Sequence, residues 1–344
     1  MNRRAAPILL ALLSAALFGA ATPASKVLLD ELPPFQLAGL LYLGAAAAML
    51  PWIVARPHPR LSALDPINRR RLLGAVVAGG LIGPVLLLAA LRLAPAGSVS
   101  LLLNLETAAT AVLGALLFRE PLHRLGWIGA AGIVAAGALL GGGDWPGMAS
   151  ALLVAIACLC WGLDNHLTAL IDGITPPVST FWKGAAAGSV NLMIGVAVAP
   201  FTASLWQVAA ALAVGGLAYG ASITLYIRAA QQLGAVRAQA LFASAPFVGA
   251  ALSYGLLGEA LDARALVAAA LLIGSALLLF GSVHAHPHRH TAVEHVHTHC
   301  HDDPHHDHPH PGLAASLPHA HLHRHDEQIH AHPHWPDLHH RHRH

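Results

Sequence analysis

Between residues 8 and 282 the chain runs as ten apolar blocks, each close to the ~20 residues that a helix needs to cross a hydrocarbon layer. They cover residues 8–29, 35–55, 72–93, 97–118, 125–142, 147–170, 178–199, 206–227, 235–257 and 264–282. In lipid every backbone amide must find its partner inside the protein, so a spanning segment is either a helix or a strand of a closed barrel. The blocks are too long for spanning strands and do not alternate, so the sequence predicts an all-α membrane protein with ten transmembrane helices. The joints are short and hold the expected breakers: Pro33-Pro34, Pro95, Pro121, Pro146 and Pro176-Pro177. With 56% hydrophobic and 10% charged residues, a soluble domain is excluded, because its surface could not be kept wet. Arg3 and Arg4 precede the first block, which lacks a convincing cleavage site and reads as a first helix rather than a removed signal.

The formal net charge of +2 and the absence of a basic stripe argue for no nucleic-acid partner; the expected partners are the lipid bilayer and a small-molecule substrate. Oligomeric state is left open. Cys158 and Cys160 sit inside an apolar block and Cys300 lies near the C-terminus, which gives no disulfide framework. With a cytoplasmic N-terminus, the inner side receives Arg3, Arg4, Arg56, Arg60, Arg69, Arg70, Arg71, Arg119, Arg124, Lys183, Arg228 and Arg237. The outer side receives Lys26, Arg92 and Arg264. Twelve against three fixes an inner-membrane orientation with both termini in the cytoplasm.

Landmarks recur within the chain. A shift of 143 residues aligns Phe18-Gly19 with Trp161-Gly162 and Pro33-Pro34 with Pro176-Pro177. A shift of 139 aligns Glu120 with Glu259, Leu122 with Leu261, and Gly142 with Gly281. The chain is thus read as two five-helix repeats, residues 1–143 and 144–283, followed by a tail at 284–344. Since five is odd, the second repeat enters the membrane from the opposite side, and substrate is expected between the inverted halves near the midplane.

These paired landmarks resemble the drug/metabolite transporter superfamily, specifically its ten-helix EamA-type members. The similarity rests on Phe18-Gly19 running on to Lys26, on Trp161-Gly162, and on Arg119-Glu120 and Gly258-Glu259 closing the fourth and ninth blocks. The resemblance covers about residues 7–282 and implies a permease or exporter of small metabolites, with no particular substrate. Leu102 to Thr107 and Trp161 to His166 depart from the general pattern, and the tail is no part of it.

An ionisable group inside a membrane costs about 2.5–3.5 kcal/mol at a helix centre and usually faces a cavity or a partner. Glu106, in the middle of the fourth block beside Asn104, is read as a substrate- or proton-binding carboxylate, with a structural bond to a neighbouring helix as the alternative. Asp164, Asn165 and His166 read equally as a polar lining of the path or as an interfacial cluster. A metal site from Cys160, Asp164 and His166 is the weaker reading, for want of a further ligand. Lys26 and Lys183, the only lysines, lie near block ends and read first as snorkelling side chains, although Lys26 is also a family landmark and belongs with the candidate path. Glu120 and Glu259 are read as structural or gating residues. Pro23, Pro84 and Pro246 interrupt blocks and predict kinks. No enzyme signature is present: there is neither a His-Glu-x-x-His nor a Gly-x-Ser-x-Gly motif, and Gly141 to Asp144 reads as a turn.

Of 26 histidines, 23 fall in the last 61 residues. With too few apolar residues to build a core, that tail is expected to be disordered. His295, His297, His299, Cys300, His301, His305, His306 and His308 form its densest run and could chelate Ni, Zn, Cu or Co. No cofactor is required. The function expected is thus a proton- or exchange-coupled transporter, exporting a small organic metabolite. The rivals are a transition-metal permease and a metal-sensing membrane protein that uses the tail.

Overall fold

The apolar blocks are helices because a chain of Ala, Leu, Gly and Val in lipid can satisfy its amides only locally. The computed structural model describes residues 5–55, 61, 64–118, 122–142, 145–171, 174–233 and 241–281, and tail segments 285–290, 293–299, 319–325 and 328–333. Among the described residues, eight helices are long and apolar enough to cross a membrane: α1 (Ala6–Leu28), α2 (Pro34–Ala55), α3 (Pro66–Leu93), α4 (Ala96–Leu117), α5 (Arg124–Gly141), α6 (Trp145–Ala169), α7 (Pro176–Val198) and α8 (Leu205–Ile227). Two shorter apolar helices follow, α9 (Ala245–Leu256) and α10 (Ala263–Leu279). The ninth block was expected from residue 235, but 234–240 lie outside the described residues. Leu9, Val54, Leu116, Val198 and Leu277 are each more than half exposed, which leaves an apolar exterior suited to lipid.

Helix pairing respects the two halves. α2 packs on α7, α4 on α9 and α5 on α10, while the α1–α8 contact is matched by α6–α3. Exchanging the first five helices for the second five reproduces this set. Small residues allow the close approach: a Cβ at Gly39 would stand 2.6 Å from the Leu192 amide nitrogen, and one at Gly188 would stand 2.7 Å from that of Leu43. At the α1–α8 seam the fully buried Ser14 and Ser222 each donate to the other's carbonyl, at 2.7 and 2.9 Å.

Several helices expected to be continuous are interrupted. α1 breaks at Ala20 and α4 at Leu103–Asn104, and a turn at Ala243–Ser244 precedes α9. α3 contains a π-helical segment, Val76–Ile82, and α8 another, Gly216–Ala221. The π segments, and likewise the breaks in α4 and before α9, lie 140 residues apart, so the same irregularity recurs in each half. Pro23, Pro84 and Pro246 each fall in the first turn after an interruption, where a missing N–H costs least.

No strand occurs among the described residues of the bundle. In the tail, Ala285–His290 pairs antiparallel with Gln328–Pro333, and Val293–His299 with His319–His325. The physical reason is period: histidine at every second position suits a strand. A two-stranded ribbon alone is marginally stable in water.

A polar cluster at mid-depth

The π-helical segment of α3 is where the site begins. Pro84 has no N–H to give the carbonyl four residues earlier, so Gly80 O is released from the helical ladder. The Asn191 amide of α7 takes it up, donating at 3.1 Å. Next to it, Gly79 O accepts from the Tyr42 hydroxyl of α2 at 2.5 Å and from the Trp161 indole of α6 at 3.1 Å. In α8 the residue equivalent to Pro84 is Thr224, whose hydroxyl donates to Gly220 O at 3.1 Å. Both halves thus expose a carbonyl at this depth and supply a side-chain donor for it.

Gly79 has no side chain because Asp164 occupies that space; a Cβ there would overlap the Asp164 carboxylate. Asp164, buried against α3, accepts from the Lys183 ammonium at 2.7 Å and from the Thr168 hydroxyl at 2.9 Å. The snorkelling expectation for Lys183 is corrected here. α7 starts at Pro176, so Lys183 sits two turns inside the helix, and it turns inward because a carboxylate on the neighbouring helix is within reach.

Glu106 enters from α4, in the first turn after the Leu103–Asn104 break. Its Oε1 accepts from the Asn165 amide at 2.9 Å, and the same amide lies 3.3 Å from the Thr110 hydroxyl. Glu106 as a whole is partly covered, and its carboxylate lies among helices within electrostatic reach of Tyr42, Tyr219 and Tyr226. His166 places Nε2 at 2.9 Å from Thr110 O and stacks on Phe118 with ring centres 4.4 Å apart. One helical turn of α6 therefore divides its polar residues: Asp164 goes to α3 and α7, while Asn165 and His166 go to α4.

The other residues singled out in the sequence fall elsewhere. Asn104 donates to Leu101 O at 2.9 Å, closing the break in its own helix. Lys26 donates to Leu91 O and Ala94 O, and so satisfies carbonyls left open where α3 ends. It is not brought to Glu106. Glu259 sits beyond α9 and receives the Ala96 and Gly97 amides, at 2.6 and 2.7 Å, which caps the start of α4. Glu120 lies outside the described residues, as do Cys300, His301, His305, His306 and His308; His295, His297 and His299 lie on a tail strand. No group of three metal-ligating side chains is assembled among the described residues. An apolar groove bordered by Leu43, Leu192, Met193 and Val196 lies on the outer face of α2 and α7, and no charged residue borders it.

Sequence reasoning missed Lys183, Tyr42 and Asn191 as parts of the cluster. The available signals were Asn191, a lone amide within an apolar block, and Gly79-Gly80 placed four residues before Pro84.

The EamA-like transporter family matches residues 5–142 and again residues 148–281. No curated protein matches the chain. A solved structure, titled only as the crystal structure of a protein, superposes with a TM-score of 0.60 at 17% identity, covering 79% of this chain and 97% of its own. That likeness concerns the fold alone.

Proposed function

Because the chain belongs to the EamA-like transporter family and is a multi-pass membrane transporter, we propose that it exports a small organic metabolite in exchange for protons, with Glu106 as the coupling carboxylate. The observation that supports this is the placement of Glu106. It is a carboxylate at mid-helix depth, on a partly covered residue, whose hydrogen-bond partner Asn165 is neutral. Asp164 is already balanced by Lys183, so it is Glu106 that is left to bind a proton and a substrate in turn. The two family matches, each five helices long, are read as oppositely oriented halves that rock about this cluster. Asn165 holds the carboxylate in place, and the broken α4 gives it a point of flexure.

The test is uptake into proteoliposomes under an imposed pH gradient, using labelled amines, amino acids and organic acids. Wild-type protein is expected to move at least one class only when the gradient is present. Glu106→Gln keeps the shape and the Asn165 contact, and should retain folding while losing gradient-driven uptake. Gradient-driven uptake undiminished in Glu106→Gln overturns the reading.

A further inference from the structure

The charges and rings around Glu106 say more about what is carried, and this inference rests on the transport reading above. The carboxyl groups of Glu106 and Asp164 and the amine of Lys183 meet in the cluster. Lys183 is 2.7 Å from Asp164, so Glu106 has no ion-pair partner of its own among the described residues. Facing it from α6 are the neutral Asn165 amide and, through Thr110, the His166 ring, whose Nε2 is spent on a carbonyl.

A continuous set of aromatic rings lies across the interior. Tyr42 stacks on Tyr219 with centres 5.6 Å apart, and Tyr219 meets the edge of Phe18 at 5.7 Å. Phe18 touches Phe242 at 5.3 Å, and Phe242 touches Tyr226 at 5.0 Å. These rings come from α1, α2, α8 and the helical residue just ahead of the Ala243–Ser244 turn, so both halves contribute. Phe18, Tyr219, Tyr226 and Phe242 are only partly covered although they belong to the bundle interior.

We propose that the transported species is a monovalent organic cation with an aromatic or otherwise apolar body, held between Glu106 and the ring set of Phe18, Tyr42, Tyr219, Tyr226 and Phe242. The faces of aromatic rings attract cations, and an unmatched carboxylate in a medium of low dielectric does so strongly. An anion meets the opposite: repulsion from Glu106, and no ammonium that is not already paired. A transition metal finds no group of three ligating side chains among the described residues.

The test uses full-length protein in proteoliposomes and two probes that share a benzyl ring, benzyltrimethylammonium and phenylacetate. Binding is read from tryptophan fluorescence, and transport from uptake under an imposed proton gradient. The cation is expected to bind at least tenfold more tightly than phenylacetate. Glu106→Gln should weaken cation binding tenfold or more, and Tyr219→Leu several-fold, with both variants eluting as folded protein. Tighter binding of phenylacetate, or cation affinity unchanged in both variants, overturns the proposal. Uptake of phenylacetate but not of the cation overturns the substrate class while leaving coupled transport standing. Cation binding with the expected losses but no uptake upholds the site chemistry and removes the coupling.

Discussion

At the scale of single residues, the Asp164–Lys183 pair shows how little of its value is visible from either partner alone. The two side chains are only 7% and 17% exposed, so removing one strands the other away from water. Lys183→Met should destabilise the fold by roughly 3 kcal/mol. Asp164→Leu combined with Lys183→Met removes both charges and should recover most of that loss. Thermal denaturation in detergent reads both, and a double variant no more stable than the single one would show that the pair is not an interacting unit. Asp65, just ahead of α3, offers a test at the water surface. Its carboxylate accepts from the Asn68 and Ile67 amides at 3.0 and 2.8 Å. The Asn68 backbone N–H draws its acid below the usual range, against an opposing contribution from desolvation and with help from the Asn68 side chain and Ile67. A lowered folded pKa means that the cap is fully effective above the ordinary carboxyl value of ~3.9 and fails as pH falls through the lower, folded value. Hydrogen exchange at Ile67 and Asn68 should therefore be faster in Asp65→Ala than in wild type at pH 7, and the two should converge in strong acid.

At the scale of elements, the π segment of α3 ties the cluster together, because it frees two adjacent carbonyls for donors from three other helices. Gly79→Ala places a methyl where the Asp164 carboxylate stands, so either α3 or the ion pair must shift. The expected cost is about 1–3 kcal/mol, with loss of the Tyr42 and Trp161 bonds. A melting temperature like that of wild type would mean that α3 yields freely at this point. Helices of spanning length, eight of them among the described residues, were legible because lipid leaves a backbone few options, and the interruptions just before Pro23, Pro84 and Pro246 because proline lacks a donor. The π segment of α8 was not legible: Thr224 stands where Pro84 does, and a threonine in a helix carries no such message. Glu106 and Asp164 were legible as costly charges in an apolar run. Which of them was already paired depended on Lys183, nineteen residues beyond Asp164 and on another helix, and the sequence places that lysine only near a block end.

At the scale of the whole molecule, the histidine tail is separable from the bundle on chemical grounds. The family matches end at residue 281, so all of residues 284–344 lie beyond them. Within the tail, the strand register sets histidine opposite histidine at His286 and His332, His288 and His330, His295 and His323, His297 and His321, and His299 and His319. Imidazoles close together in a chain chelate transition metals jointly. The bundle assembles no comparable group among its described residues. A chain ending at Ser282 should therefore insert and keep the uptake of an organic substrate, while losing most of its binding of Ni, Zn or Cu. In the full-length protein, titration calorimetry should show metal affinity falling between about pH 7 and pH 5, because imidazoles with a pKa of ~6.5 lose their lone pairs to protons. Metal binding retained by the truncated chain would place the ligands in the bundle. Loss of organic-substrate uptake on truncation would make the tail a working part of the transporter, whereas intact uptake with no metal bound would show that the two activities share a chain without sharing a mechanism.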